Sequence, residues 1–311
     1  MFHRKISRLL SRHLRKLLGR TKIALKKNLR SHSEGPCINY AFQQVDVFSE
    51  QSCMGNPVAV FLESEGLSTE DMQKISRWTN LSETTFVSKS NNADYRLRIF
   101  TPTYELPFAG HPTLGTAWAL RKAGIIQKDN FVQECGFGLI QISCEGDKIF
   151  FELPHFKTKK FNYESELSKF LGVSVKNTQI IITGPRWLTA ELESAETLFK
   201  ISGDLNPLVP FMKTIGADGV VIYAIHDDKK VHLRAFFEGN SGMIEDPLCG
   251  SGNAAVAAHI MTTGNTNRVG LTYEAFQGAA LKRDGRISVV LGDKIKVGGQ
   301  CHTVFEGRAT L

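Results

Sequence analysis

The chain has 311 residues, 42% hydrophobic and 22% charged, which is the make-up of an ordinary soluble protein with room for one large or two medium cores. No apolar run is long enough to span a bilayer, and six cysteines without a Cys-x-x-Cys pair indicate neither a zinc site nor a disulfide framework, so a reducing, cytoplasmic setting is expected. The net charge of +7 is uneven: residues 1–33 hold eleven Lys or Arg and no acid, and the remaining 27 basic against 31 acidic residues leave the folded body at −4, which predicts no nucleic-acid groove there.

Residues 1–36 read as a basic N-terminal extension, disordered or targeting, bounded by Ser33-Glu34-Gly35-Pro36. Phe2, Ile6, Leu9, Leu10, Leu14, Leu17 and Leu18 fall near helical spacing among Lys and Arg. An acid-free, Arg-rich amphipathic segment has the form of a mitochondrial presequence, for which the import machinery would be the partner in a eukaryotic source. A membrane-surface helix, a basic arm for RNA or acidic partners, and an extension without a dedicated role have the same composition.

The body divides into a first lobe over 37–153 and a second over 154–299, with a strand near 300–311 expected to return to the first. Tyr40–Phe48 reads as a strand, Met54-Gly55-Asn56-Pro57 as a turn and Val58–Leu62 as the next strand. Ser68-Thr69-Glu70-Asp71 starts a helix that continues through Met72–Trp78. Asn80–Thr84 is expected to be a polar connection, Thr85–Val87 and Tyr95–Phe100 strands, and the residues after Gly110 a helix, followed by strands near Leu139–Cys144 and Lys148–Leu153. In the second half Glu164–Leu171 reads as a helix and Gln179–Thr183, Gly219–Ile225 and Val231–Phe237 as strands. Short strands at Leu271–Tyr273, Ile287–Leu291 and Lys294–Val297 follow. Many strands with one Ala-rich helix per half predict an α+β fold in two lobes, each a sheet wrapped around a central helix. No Gly-x-Gly-x-x-Gly turn or phosphate loop follows a strand, so no nucleotide cofactor is expected, and no metal.

One pattern occurs twice. Leu97-Arg98-Ile99-Phe100 leads to Glu105-Leu106-Pro107-Phe108-Ala109-Gly110-His111 and an Ala-rich stretch. Leu233-Arg234-Ala235-Phe236 leads to Glu245-Asp246-Pro247-Leu248-Cys249-Gly250-Ser251 and another, with Glu, Pro, Gly and Ala recurring 140 positions apart. Each copy is a strand, an acidic turn and a helix start with small residues. Free backbone N–H groups and the helix dipole at such a start favour an anion, so two facing copies could hold a small carboxylate between them. The same residues would also serve simple strand-turn-helix packing, and that reading stays open at this point.

The Met54–Val60 loop, Asn80-Leu81-Ser82-Glu83-Thr84, Phe100-Thr101-Pro102, Glu105–Thr113 and Glu245–Gly252 together resemble the phenazine-biosynthesis PhzF family, over about residues 38–311. The resemblance implies a fold similar to diaminopimelate epimerase, with the active site in the cleft between two pseudo-symmetric lobes, and a homodimer. It implies a cofactor-independent isomerase that moves a proton and a double bond within a small carboxylate-bearing acid, such as trans-2,3-dihydro-3-hydroxyanthranilate. Glu83 is implied as the general acid/base, and a carboxylate suits that role where desolvation raises its pKa. His111 and Asp246 are implied to orient the substrate, with His111 assisting a second proton transfer, while Ser82, Gly110, Gly250 and Ser251 supply donors to it. Related cofactor-free epimerases face two cysteines across the cleft; here Cys249 is present but its counterpart is Ala109. An epimerase or racemase using Cys249, and a non-catalytic binding protein on this scaffold, are the alternative readings.

Overall fold

The computed structural model describes residues 38–311 apart from 154, 161, 227–229 and 240–241, so the basic extension and Cys37 lie outside the described residues. Two compact units result. In the smaller, Ile38 and Leu311 exchange both backbone hydrogen bonds at 3.0 Å, and the Thr310 hydroxyl donates to Asn39 Oδ1 at 2.8 Å. Tyr40–Ala309 forms the other.

The first half of the chain contains β1 (Asn39–Val47), β2 (Asn56–Phe61), α1 (Thr69–Thr79), β3 (Glu83–Ser88), β4 (Tyr95–Phe100), β5 (Glu105–Leu106), α2 (Gly110–Lys122), β6 (Asn130–Cys135), β7 (Gly138–Glu145) and β8 (Lys148–Glu152). The second contains β9 (Lys157–Lys160), α3 (Glu164–Leu171), β10 (Lys176–Ile182), β11 (Arg186–Glu191), α4 (Ala195–Lys200), α5 (Leu208–Ile215), β12 (Gly219–Ile225), β13 (Val231–Gly239), β14 (Gly242–Asp246), α6 (Gly250–Thr262), α7 (Thr266–Val269), β15 (Thr272–Gln277), β16 (Gly285–Val290) and β17 (Lys296–Gly299), and β18 (Cys301–Thr310) follows.

Strand pairing repeats across the halves. β1 is antiparallel to β2, β2 parallel to β3, β3 antiparallel to β4, β4 parallel to β6, and β6 to β8 form an antiparallel meander. β10 to β17 repeat these pairings in the same order and sense. An antiparallel β8–β17 pair joins the two sets, β9 flanks β10, and β18 flanks β1. The fold is α+β.

Each sheet surrounds one helix. α2 and α6 have no distinct polar face and are buried along most of their length, as a central helix is. Small residues let the strands close in: a Cβ on Gly115 would meet Val58 Cγ1 at 2.4 Å. One continuous core runs from Val45, Val58, Leu114 and Phe151 to Tyr223, Ala254, Val289 and Val297. Each large side chain buried there contributes about 1.5–3 kcal/mol. A second cluster, including Leu167, Leu188, Leu198 and Ile222, fills the space under α3 to α5. On the outer side of the first sheet, α1 starts with a Ser68–Asp71 capping box and ends at Asn80 in the left-handed region.

The repeated Arg and Glu have a common structural role. Arg98 donates two hydrogen bonds to Glu105 at 2.8 and 2.6 Å, and Arg234 two to Glu245 at 3.0 and 2.8 Å. Each guanidinium also lies 5.0 Å from a ring centre, Phe100 or Phe236. These forks brace the β4–β5 and β13–β14 hairpins, in which Phe100 is paired with Glu105 and Phe236 with Glu245. The second hairpin is four residues longer, so the repeat changes from 136 positions before the turn to 140 after it.

Several elements differ from the sequence expectation. β3 starts at Glu83, so Glu83 and Thr84 belong to a strand rather than to the polar connection. β6, β11, β14 and the helices α4 and α5 were not anticipated. Asn130–Cys135 and Arg186–Glu191 mix polar and apolar residues because buried polar partners satisfy them, which weakens the alternation that marks a strand.

Candidate active site

The site is built around the start of β2. Asp46 on β1 accepts the backbone N–H of Met54 at 3.1 Å and of Gly55 at 3.0 Å, folding the loop back on the strand. Only glycine fits at 55, where a Cβ would lie 2.3 Å from the Val47 carbonyl oxygen. This loop delivers Asn56, 1% exposed, into the interior. Glu83 opens β3 directly opposite Val58 in the parallel β2–β3 pair, and His111 sits in the first turn of α2. Asp246 ends β14 and accepts the Leu248 N–H at 3.1 Å.

Glu83 Oε2 and His111 Nε2 lie 3.3 Å apart without hydrogen-bond alignment, and neither atom has another protein partner. Asn56 Nδ2 donates to the Leu248 carbonyl at 2.8 Å and to Asp246 Oδ1 at 3.2 Å, and lies 3.4 Å from His111 Nδ1. The Ser82 hydroxyl donates to Asn56 Oδ1 at 3.5 Å. The structure thus brings Glu83, His111, Asp246 and Ser82 together, with Asn56 among them.

Gly110 and Gly250 are also adjacent. A Cβ on either would come within 3.1 Å of the other's Cα, so the two helix N-termini abut. Ser251 is held to one side: its hydroxyl accepts from Trp187 Nε1 at 3.2 Å and its carbonyl from the Thr183 hydroxyl at 3.1 Å. Cys249 caps α6, its sulfur accepting the Gly252 N–H at 3.2 Å. Gln277, from the end of β15, accepts Cys249 N–H at 3.0 Å and Asn253 Nδ2 at 3.1 Å, and donates to the Asp246 carbonyl at 2.9 Å.

Burial dominates the electrostatics. Desolvation, reinforced by the Asp246 charge and opposed by the Ser82 hydroxyl, raises Glu83 from 4.5 to about 8. Desolvation lowers His111 from 6.5 to about 3, opposed by a hydrogen bond to the Pro57 backbone. Asp246 rises from 3.8 to about 6, again through burial, against hydrogen bonds from Cys249 and Leu248. Near pH 7 Glu83 is therefore mostly a neutral acid, His111 a neutral imidazole and Asp246 mostly an anion. The Glu83–His111 pair is not an ion pair there. It is a neutral carboxyl beside an uncharged imidazole nitrogen. The Cys249 thiol is pushed well above its ordinary value by burial and by Asp246, so it stays protonated.

Asn56, Gln277, Asn253 and Trp187 were not singled out as site residues from the sequence. Asn56 carried a signal, since it stands in the Gly-Asn-Pro turn of a conspicuous loop. Gln277 had none, because its partners are 24 to 31 residues distant and only the fold unites them. Among the described residues no group of three His, Cys, Asp or Glu is gathered as a metal site requires, and no helix is long and apolar enough to cross a membrane. A separate open groove of about 740 Å³, lined by Leu62, Glu65, Lys89, Asp94, Ile125 and Lys128 among others, shares no residue with the site.

The profile of the phenazine biosynthesis-like protein family (PhzC-PhzF) matches residues 45–307. The chain is 36% identical to Antisense-enhancing sequence 1 of Schizosaccharomyces pombe over 298 residues, 88% of this chain and 99% of that protein. It is 31% identical to the trans-2,3-dihydro-3-hydroxyanthranilate isomerase of Pseudomonas aeruginosa, over 86% of this chain and 98% of the relative. A Bacillus anthracis PhzF-family crystal structure superposes with a TM-score of 0.76 at 24% identity, covering 88% of this chain and all of that one.

Proposed function

This chain belongs to the phenazine biosynthesis-like (PhzC-PhzF) isomerase family, and from that premise we propose that it shifts a proton and a double bond within a small unsaturated amino or hydroxy acid, with Glu83 as the acid/base. The observation that carries the reading is a buried carboxyl poised near pH 8, 3.3 Å from an uncharged imidazole nitrogen. Carbon acids surrender a proton slowly to water, and a desolvated carboxylate of raised pKa is the stronger base.

Glu83 in its ionised form removes the proton from one carbon, and the electron pair enters the adjoining π system. The double bond moves as the same carboxyl returns the proton to a second carbon, so no atom or electron is gained or lost. His111 Nε2 accepts the Glu83 proton's hydrogen bond during the interval and steers it. The N–H groups at the starts of α2 and α6, with the Ser251 hydroxyl, hold the substrate carboxylate, where the helix dipoles favour negative charge. Asp246 receives the substrate's amino or hydroxyl hydrogen.

Cys249 is a poorer candidate base, since its environment keeps the thiol protonated. Incubation of the full chain with trans-2,3-dihydro-3-hydroxyanthranilate in D₂O, followed by NMR, tests the proposal. Conversion with deuterium incorporation by the native chain and none by Glu83→Gln is expected. Conversion unchanged in Glu83→Gln overturns Glu83 as the base. No conversion by either moves the search to other small unsaturated acids. We also propose a homodimer, for which light scattering is the check.

A further inference from the structure

Each half of the chain supplies part of the site, and a side-chain amide spans the seam. Asn56 belongs to β2, with Ser82, Glu83 and His111 around it from the same half. Both of its amide hydrogens nevertheless go to the other half, one to the Leu248 carbonyl at 2.8 Å and one to Asp246 Oδ1 at 3.2 Å. Its carbonyl oxygen takes the Ser82 hydroxyl, next to Glu83. We propose that Asn56 is the positioning residue that holds Asp246 of the second half in register with the Glu83–His111 pair of the first and fixes which nitrogen of His111 is bare. The inference rests on the isomerase reading of the site.

Two consequences follow from the donor count. Asp246 Oδ1 accepts from both Asn56 and the Leu248 N–H, so the carboxylate is pinned by one oxygen and Oδ2 carries neither bond. The other consequence concerns His111. Asn56 Nδ2, 3.4 Å from Nδ1, has no hydrogen left to give it. His111 Nε2 has no hydrogen-bond partner, so the backbone bond at Pro57 falls to Nδ1, which keeps its own hydrogen and leaves Nε2 bare 3.3 Å from Glu83. An amide is the side chain suited to this place. A carboxylate would repel Asp246 and attract a charge onto His111, and an aliphatic group would leave the Leu248 carbonyl and Asp246 short of a donor.

The titratable groups around Asn56 are Glu83 from β3, His111 from α2, Asp246 from β14 and Cys249 at the start of α6, with Asp46 beneath its loop. The test compares Asn56→Asp and Asn56→Ala with the native chain in two ways. Ring-¹⁵N histidine NMR of the ligand-free protein, with His111 assigned from a His111→Gln spectrum, reads the tautomer without any substrate. The native chain should show His111 neutral with a bare Nε2 from pH 5 to 9. Asn56→Asp should draw a second proton onto the ring in the lower part of that range, and Asn56→Ala should mix the tautomers. Turnover of a converted substrate should fall about 100-fold in both variants, mostly in kcat, because the reacting groups lose their register. An unchanged His111 signal in both variants, or turnover within threefold of native, overturns the proposal, as does a loss of turnover accompanied only by lowered stability. If no substrate is found, the ring spectra still decide the role of Asn56, so its failure and that of the isomerase reading are distinguishable.

Discussion

Glu83 and Gly219 occupy the same register position in the two halves. Glu83 is paired with Val58 across the parallel β2–β3 ladder, and Gly219 with Trp187 across the parallel β11–β12 ladder. Where the first half places a carboxyl, the second has no side chain, and the Trp187 ring takes the space: a Cβ on Gly219 would meet it at 2.4 Å. The thiol position is asymmetric in the opposite sense, with Cys249 before α6 and Ala109 before α2. The two halves thus carry one carboxyl and one thiol at these positions instead of a matched pair. A single base that removes and returns a proton needs one such group, whereas inversion at one carbon needs two.

Cys249→Ser separates these chemistries. Serine still offers the Gly252 N–H an acceptor and still donates to Asp246, so α6 should start normally and turnover should stay within about threefold of native. Loss of 1,000-fold or more in steady-state kinetics, with an unchanged melting temperature, would make the thiol the base and restore the epimerase reading.

The pH dependence follows from Glu83. Its folded pKa of about 8 lies above the ordinary 4.5, and only the ionised form removes a proton, so kcat/KM should fall close to tenfold per unit as pH drops below about 8. Stability has the matching sign. Between 4.5 and 8 the folded chain holds a proton that the unfolded chain releases, so the group's contribution is complete below 4.5 and is lost as pH rises through 8. Glu83→Gln has no proton to lose and should be the more stable protein at pH 9, by up to about 4 kcal/mol, the rise from 4.5 to about 8 at about 1.4 kcal/mol per unit discounted for the 15% of the side chain left exposed. The advantage should shrink toward pH 4.5 in denaturation series. A constant difference across the range would show that Glu83 is not held neutral.

The sequence carried the repeat, and with it the two central helices, because a buried helix needs small residues at close approaches and a braced hairpin needs its Arg–Glu fork. Those demands leave identities behind. The start of β3 was lost because Glu83 and Thr84 are polar, following Ser82, and that polarity belongs to the site. Trp187 reads locally as a core residue, and its part in filling the blank half-site depends on Gly219, 32 residues later. Asn56 was legible as a turn residue, but its reach to Leu248, 192 positions on, was not. Chemistry assembled across that separation leaves its parts in the chain without their relationship.

The contact between Gly110 and Gly250 should tolerate no side chain. In Gly110→Ala the new methyl would lie 2.9 Å from the Phe151 ring and 3.1 Å from Gly250 Cα, and in Gly250→Ala 3.1 Å from Gly110 Cα and 3.2 Å from His111 N. Backbone cannot yield as a flexible side chain does, so the helices must separate. Each variant should lose about 1–3 kcal/mol of stability and most turnover. Gly250→Ala with native melting and native kcat would show that the helix starts need not touch.

The two Arg–Glu forks share a geometry and differ in burial, which predicts unequal costs. Arg98 and Glu105 leave 24% and 38% of their side chains exposed, Arg234 and Glu245 11% and 9%. Water can replace Glu105 at Arg98, so Glu105→Gln should cost under about 1 kcal/mol. At Arg234 little water reaches the guanidinium. Its Nη1 also donates to the Leu198 and Ile201 carbonyls, at 3.3 and 2.7 Å, and those bonds hold it inside when its partner is gone. Glu245→Gln should therefore cost about 3 kcal/mol, the penalty of a buried charge left without its counterion. Removing the Glu245 charge should also lower the Asp246 pKa, which that neighbour helps to raise, so the variant's carboxyl NMR titration should move down from about 6. Equal costs in urea denaturation would show that Arg234 finds water or another anion in the folded chain, and the fork would then brace the hairpin by shape alone.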